Sequence, residues 1–214
     1  MKKTYEEEVL RLKAMEENER RLRAEGYMLI AGVDEAGRGP LAGPVYAAAV
    51  ILPEGCIIEG LNDSKKLSEK KREQLYDIIC EKAVGYSIRS VDEKIIDEIN
   101  ILNATFLAMN TAVRELVPEP EFVLVDGNRI NNMIYPCETI VGGDSKSINI
   151  AAASVLAKVS RDRYVKAISE KYPQYNFAKH KGYGTKEHVE AIRKYGPCEI
   201  HRKTFLKKIT GGVI

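Results

Sequence analysis

Cysteine is scarce in this chain of 214 residues: Cys56, Cys80, Cys137 and Cys198 lie 24, 57 and 61 positions apart, with no CxxC pair. That spacing excludes a thiolate zinc site and a thioredoxin-type redox pair, and leaves idle thiols in a reducing compartment. No apolar run approaches the ~20 residues that a membrane span needs. Residues 1–25 carry seven basic and seven acidic residues and no apolar core of the signal-peptide kind, so a cytoplasmic protein is expected. Neither a GxxxxGK[ST] phosphate loop nor a GxGxxG fingerprint occurs, which removes support for a kinase, ATPase or dehydrogenase. The histidines His180, His188 and His201 are too dispersed for an HExxH or HxxxH pair, and His188 is expected on a helix surface. Repeats, low-complexity tracts and Gly/Ser/Pro linkers are also missing, so one domain with a short appendage is expected.

What is present is ordinary in bulk, 44% hydrophobic and 30% charged, but uneven in charge. The net +2 conceals 14 Lys/Arg against 5 Asp/Glu in residues 151–214, and 19 against 26 in residues 1–150. The basic third also holds five of the eleven tyrosines. This combination suits a polyanion-binding face, the alternative being basic helix faces that are merely solvated. An acidic portion beside a basic one suits a protein that holds metal cations against a phosphate backbone.

Periodicity predicts one surface helix over 5–23, with Tyr5, Val9, Leu12, Met15 and Leu22 near one stripe. Strands are predicted at 28–34, 45–52, 84–91, 122–125 and around 138–141, the first two forming an antiparallel pair across a short loop. Helices are predicted from Ser68 to about Lys82, from Asp92 to Ile99, over 103–117, over 147–172, near 185–195 and around 201–209. Strands interleaved with helices indicate an α/β fold with a mixed sheet.

The acids are placed unusually. Asp34 and Asp126 each close an apolar strand and are followed within a few residues by Gly, and Asp144 follows a glycine pair just before a helix. Ligand sites of α/β sheets gather at strand ends, so these side chains can converge, with Glu35 as a fourth oxygen donor. Strict alternation sends Asp34 and Glu35 to opposite faces. Either the strand ends or twists at Glu35, or Glu35 acts partly through its backbone carbonyl. Clustered carboxylates repel unless a cation neutralises them, and hard oxygen sites favour Mg²⁺ or Mn²⁺. Two such ions could activate a water and stabilise the departing oxygen of a phosphodiester. The competing reading for any one of these acids is a turn-former in contact with solvent. Lys65, Lys66 and Lys146 are candidate phosphate contacts, or else ordinary surface lysines.

From Gly32 to Pro44 the sequence reads Gly-Val-Asp-Glu-Ala-Gly-Arg-Gly-Pro-Leu-Ala-Gly-Pro, and here the chain resembles bacterial ribonuclease HII, the type 2 ribonuclease H family. The likeness continues through Asp-Ser-Lys-Lys-Leu at 63–67, Val-Asp-Gly at 125–127, Gly-Asp at 143–144 and the block 151–162. It ends with Lys-Gly-Tyr-Gly-Thr at 181–185 and His-Arg-Lys-Thr-Phe at 201–205. The resemblance implies a ribonuclease H-like fold, a five-stranded mixed sheet flanked by helices, with a helical C-terminal part from about 185. Residues 28–214 form that catalytic domain and residues 1–27 a helical leader. It implies Asp34, Glu35, Asp126 and Asp144 as the catalytic, metal-binding set, served by two Mg²⁺ or Mn²⁺ ions. It further implies cleavage of the RNA strand of RNA–DNA hybrids, and of duplex DNA at the 5′ side of single ribonucleotides, leaving 3′-hydroxyl and 5′-phosphate ends. Gly37, Arg38 and Gly39 match the family loop that contacts the ribonucleotide 2′-OH, and Tyr183 matches the tyrosine that stacks on the sugar. Tyr46, in place of a small aliphatic residue, and Thr204, in place of Ser, are the departures. A monomer is expected, with no membrane contact, and no sliding-clamp peptide is recognisable in 207–214. A different nuclease on the same fold, or a catalytically silent hybrid-binding protein, are the competitors; the second requires a lost carboxylate, and all four are present.

Overall fold

The apolar runs become the strands of a single five-stranded sheet: β1 (Ile30–Ala36), β2 (Val45–Ile51), β3 (Gly85–Val91), β4 (Phe122–Asp126) and β5 (Cys137–Ile140). Residues 4–209 and Gly211 are described in this computed structural model. The strand order is β3-β2-β1-β4-β5; β1, β2 and β3 are antiparallel neighbours, whereas β4 and β5 run parallel to β1. Helix α3 (Glu69–Lys82) separates β2 from β3, and Ser68 caps it by accepting from the Lys71 N–H.

Helix α4 (Glu93–Arg114) covers one face, packing Ala104, Ala108 and Ala112 against Val33, Ala47 and Val125. The two helices expected at 92–99 and 103–117 lie end to end, broken at Asn100 (φ 66°, ψ 163°), whose side chain accepts from the Leu102 and Asn103 N–H groups. Helix α5 (Ile148–Ser169) covers the other face with α3, packing Ala152, Val155 and Leu156 against Ala48 and Val50. Small residues on both helices let them approach the sheet closely. At Gly32 the approach is backbone to backbone, since a Cβ there would lie 2.2 Å from the Asn149 carbonyl carbon and the Ile150 nitrogen. Asn149 completes the seam, accepting from Leu52 N–H and donating to the Ile30 carbonyl.

The predicted single helix over 5–23 is instead two, α1 (Tyr5–Met15) and α2 (Glu17–Ala24), broken where Glu16 turns its carboxylate onto Arg23 and the Gly55 N–H. Nor is it only a surface helix. Leu12, Met15 and Leu22 enter the core, and Glu19, fully buried, accepts from the Ser147 hydroxyl (2.5 Å) and the Asn149 N–H (3.1 Å). Its carboxylate thereby satisfies donors at the start of α5, where the helix dipole favours negative charge. Burial nevertheless raises the Glu19 pKa.

Beyond α5 come α6 (Phe177–His180), α7 (Lys186–Tyr195) and α8 (Lys203–Leu206). The last helix is shorter than expected, and Asp97 caps it through the Lys203 and Thr204 N–H groups and the Thr204 hydroxyl. The expected absence of a clamp peptide falls partly on residues 210 and 212–214, which lie outside the described residues. His188 corrects the sequence-based expectation outright: it is 0% exposed, because its ring faces inward from α7 among Tyr175, Phe177, His180 and His201. Backbone partners fix the tautomers. The Cys198 N–H donates to His201 Nδ1, so His201 Nε2–H donates to His188 Nε2 (3.0 Å), and His188 Nδ1–H donates to the Tyr183 carbonyl (2.9 Å).

Burial pushes both His188 and His201 down to about 4 from an ordinary 6.5. Between those pH values the unfolded chain binds protons that the native state refuses, so this pair's stabilising contribution is present above pH 6.5 and is lost as pH falls towards 4. Denaturant titrations from pH 7 to 4.5 should therefore show declining stability, with a shallower decline in His188→Gln. A slope unchanged by that substitution would contradict the neutral buried chain.

Candidate active site

Parallel pairing of β1 with β4 ends at Val33↔Val125, so Asp34 and Asp126 are the next residues of two adjacent strands and stand side by side. On its other edge β1 continues against β2, through Asp34↔Ala48 and Glu35↔Ala47. Asp34 and Glu35 are thus still held as strand residues on one side, while on the other β4 ends at Asp126, beside Asp34. With no strand left to separate the two faces, side chains from both meet around Asp126. Carboxylate oxygens of Asp34, Glu35 and Asp126 lie within 4.8 Å of one another. Between the two routes open to Glu35, the geometry favours the side chain.

Asp34 is 3% exposed. It accepts from the Glu35 N–H at 2.7 Å and is also bonded by the Ser154 hydroxyl. Burial first, then the charges of Glu35 and Asp126, raise it well above the usual carboxylate range. Glu35 is also raised, chiefly by burial, with Arg38 at 3.4 Å opposing the shift. A cleft lined by Glu35, Arg38, Phe106, Asp126, Asn128 and Arg129 opens from the cluster on the α4 side.

Asp144 is not one of the mutually close three. It sits in the 3-10 turn Gly143–Ser145, which is fastened to the cluster by the Gly143 N–H donating to Asp126 Oδ1 (2.7 Å). Its own carboxylate lies 3.9 Å from Lys65 and bonds to Asp63, a fifth acid to which the sequence reading gave no role. Burial, then Asp63 and Asp126, raise the Asp144 pKa. Of the candidate lysines, Lys65 is the one that feels Asp34, Asp126 and Asp144. Partial burial disfavours its charge, but Asp34, Asp144, Asp63 and Asp126 together outweigh this and raise it. Lys66 pairs with Asp63 at 3.7 Å, and Lys146 donates to the Val141 carbonyl.

Five acids against two close lysines and one arginine form an under-neutralised, oxygen-rich set, which fits a hard divalent cation. Asp34→Asn keeps an acceptor for the Glu35 N–H and removes one buried charge. In EDTA it should raise the thermal midpoint by a few degrees, since a relief of about 1 kcal/mol moves it by roughly 2–4 °C at this size. It should also diminish the stabilisation that added Mn²⁺ gives the unsubstituted protein. A lowered midpoint in EDTA would show that Asp34 is not strained by its neighbours.

The loop after β1 approaches Tyr183, which is 43% exposed; a Cβ at Gly39 would be 3.6 Å from its ring. Two arginines given no role in the sequence reading build this juxtaposition. Arg161 donates to the carbonyls of Ala42, Pro44 and Lys181, and Arg202 to those of Gly37, Arg38, Pro40 and Gly43. Both are 0% exposed, and burial disfavours both cations. They belong to the basic third assigned above to a polyanion face, yet neither is available to a phosphate. Only their place inside the quoted motif blocks hinted at a function.

A mixed sheet of this order, flanked by helices and closed by an acidic cluster at its strand ends, defines a hydrolase of the ribonuclease H-like fold. The family model described as Ribonuclease HII matches residues 31–208. The chain is 61% identical over 193 residues to Ribonuclease HII of Caldicellulosiruptor bescii, covering 90% of this chain and 94% of that protein. It is 60% identical to Ribonuclease HII of Caldicellulosiruptor saccharolyticus over the same shares. The crystal structure of ribonuclease H2 from Pyrococcus horikoshii is similar with a TM-score of 0.72 and 28% identity, over 86% of this chain and 98% of that one. The chain belongs to the ribonuclease HII family.

Proposed function

We propose that this endoribonuclease cleaves the RNA strand of RNA–DNA hybrids, and duplex DNA on the 5′ side of an embedded ribonucleotide, with Asp34, Glu35, Asp126 and Asp144 as its catalytic set. The observation that carries this reading is the convergence of three carboxylates where β4 ends, with a fourth on a turn hydrogen-bonded to Asp126. Asp34, Glu35 and Asp126 would hold Mg²⁺ or Mn²⁺, and Asp144 joins them from its turn. A pair of such ions held there would supply an activated water and charge stabilisation for the departing 3′ oxygen, consistent with 3′-hydroxyl and 5′-phosphate ends.

The remaining residues bind and orient. Lys65, on the Asp144 side, offers a point charge to the scissile phosphate, and Lys66 and Lys146 lie further along the backbone path. Gly37, Arg38 and Gly39 bring backbone amides to the ribose, and Tyr183 supplies a ring for the neighbouring sugar. RNA differs from DNA at the 2′-OH, so a selective enzyme must touch it. Among the described residues no helix is long and apolar enough to cross a membrane. A monomer acting in the cytoplasm on these duplexes is the setting proposed.

The deciding assay is cleavage of a duplex bearing one ribonucleotide, beside its all-DNA counterpart, with Mg²⁺, with Mn²⁺ and with EDTA. Asp126→Asn should lose about three or more orders of magnitude of turnover, the scale of losing part of a unit that acts together, while still binding the duplex in Ca²⁺. Near-normal turnover of that variant would remove Asp126 from the catalytic set, and no cleavage by the unsubstituted protein would leave a silent hybrid-binding protein.

Tyr183 is tested separately in single-turnover cleavage at one ribonucleotide. Tyr183→Ala should lose most of the rate, Tyr183→Phe should lose less because the ring stays, and the metal requirement should not move in either. A wild-type rate in Tyr183→Ala would make the tyrosine an ordinary loop aromatic.

A further inference from the structure

The segment Gly37–Pro44 is held from beneath by seven hydrogen bonds from Arg161 and Arg202 to its own carbonyls and that of Lys181. Neither guanidinium forms an ion pair among the described residues. A buried cation without a carboxylate is costly, and here carbonyl dipoles take the counter-ion's place. The arrangement has a consequence for the loop. With the carbonyls of Gly37, Arg38 and Pro40 turned down onto Arg202, the Arg38 and Gly39 amides find no protein acceptor among the described residues. They remain as free donors at an exposed turn whose Gly39 lies beside the Tyr183 ring.

Gly37 fits the same account. Its φ is +99°, and a Cβ would lie 2.1 Å from Arg161 Nε and 2.4 Å from Arg161 Cδ. The loop therefore lies directly on the Arg161 side chain. Arg161 also reaches the Lys181 carbonyl, while the Leu41 N–H donates to the Gly182 carbonyl, so one scaffold sets the loop and the turn leading to Tyr183 relative to each other.

We propose that Arg161 and Arg202 are positioning residues for sugar discrimination: they turn the carbonyls of residues 37–44 inward so that the Arg38 and Gly39 amides stand ready to donate to a ribonucleotide. This rests on the reading of that loop as the ribose contact. A planar guanidinium serves several carbonyls at fixed angles, which an ammonium of the same charge cannot do. Arg→Lys at either position is the informative change.

For Arg202→Lys and Arg161→Lys, kcat/KM at a single embedded ribonucleotide should fall by about 100-fold, short of the ~10⁴ that complete loss of a hydroxyl-reading site allows. The inhibition constant of the all-DNA duplex as competitor, and the Mg²⁺ concentration for half-maximal rate, should stay within about threefold, roughly 0.7 kcal/mol. A general loosening of the fold would move all three together and would overturn the proposal, as would unchanged kcat/KM in a folded variant. If the unsubstituted protein does not cleave the ribonucleotide duplex, the functional reading fails instead. Hydrogen exchange on the unsubstituted protein covers the case in which neither variant folds. In Ca²⁺, the Arg38 and Gly39 amides should gain protection with the ribonucleotide duplex and not with all-DNA, and equal protection would overturn the proposal.

Discussion

Asp34 is an ionisable group almost wholly removed from water, with two other carboxylates as its nearest charged neighbours. Nothing in the protein relieves that repulsion fully, and the surrounding structure is arranged to withstand it. The register of β1 on β4 places Asp34 beside Asp126, and the β2 edge keeps Asp34 and Glu35 from swinging apart. Backbone and hydroxyl donors hold the oxygens: Glu35 N–H and Ser154 on Asp34, Gly143 N–H on Asp126. Each donor comes from an element packed tightly on the sheet, so the cluster cannot spread without disturbing the core. A cation bound among carboxylates strained in this way would stabilise the fold by relieving their repulsion.

Helix α5 links this centre to the rest of the molecule. It begins just after Asp144, lies against Gly32 so closely that no side chain fits between them, and passes Ser154 to Asp34. Its start is closed by Glu19, so helix α2 takes part in the same packing as the sheet. Near its other end it supplies Arg161 to the loop of residues 37–44. One helix thus fixes the distance between the carboxylates and the loop that faces Tyr183.

The C-terminal third carries the greatest difference between composition and use. Its excess of positive charge suggested a polyanion face, and exposed lysines such as Lys203 and Lys207 remain available for that. Arg161 and Arg202 are instead internal supports that bind carbonyls. Of the histidines dismissed as metal ligands on spacing alone, His188 and His201 form a neutral chain that ends on the Tyr183 carbonyl. Charge counts and spacing could not anticipate either outcome, because both depend on which way a side chain faces once distant segments dock.

The strands, the capped helix starts at Ser68 and Asp92, and the strand-end positions of Asp34 and Asp126 were legible in the sequence, because alternation, capping and turn chemistry are local. Its ordered motifs also carried the family, which the matches over most of the chain confirm. Only the tertiary structure decided how Asp34 and Glu35 escape strand alternation, since that depends on a neighbouring strand ending one residue after the last β1–β4 pair. It alone turned Asp144 towards Lys65 and Asp63, buried Glu19 against α5, and brought Arg202 under residues more than 150 positions away in the chain. Such contacts follow from packing, which assembles the whole surface around a group, and no stretch of sequence around that group contains it.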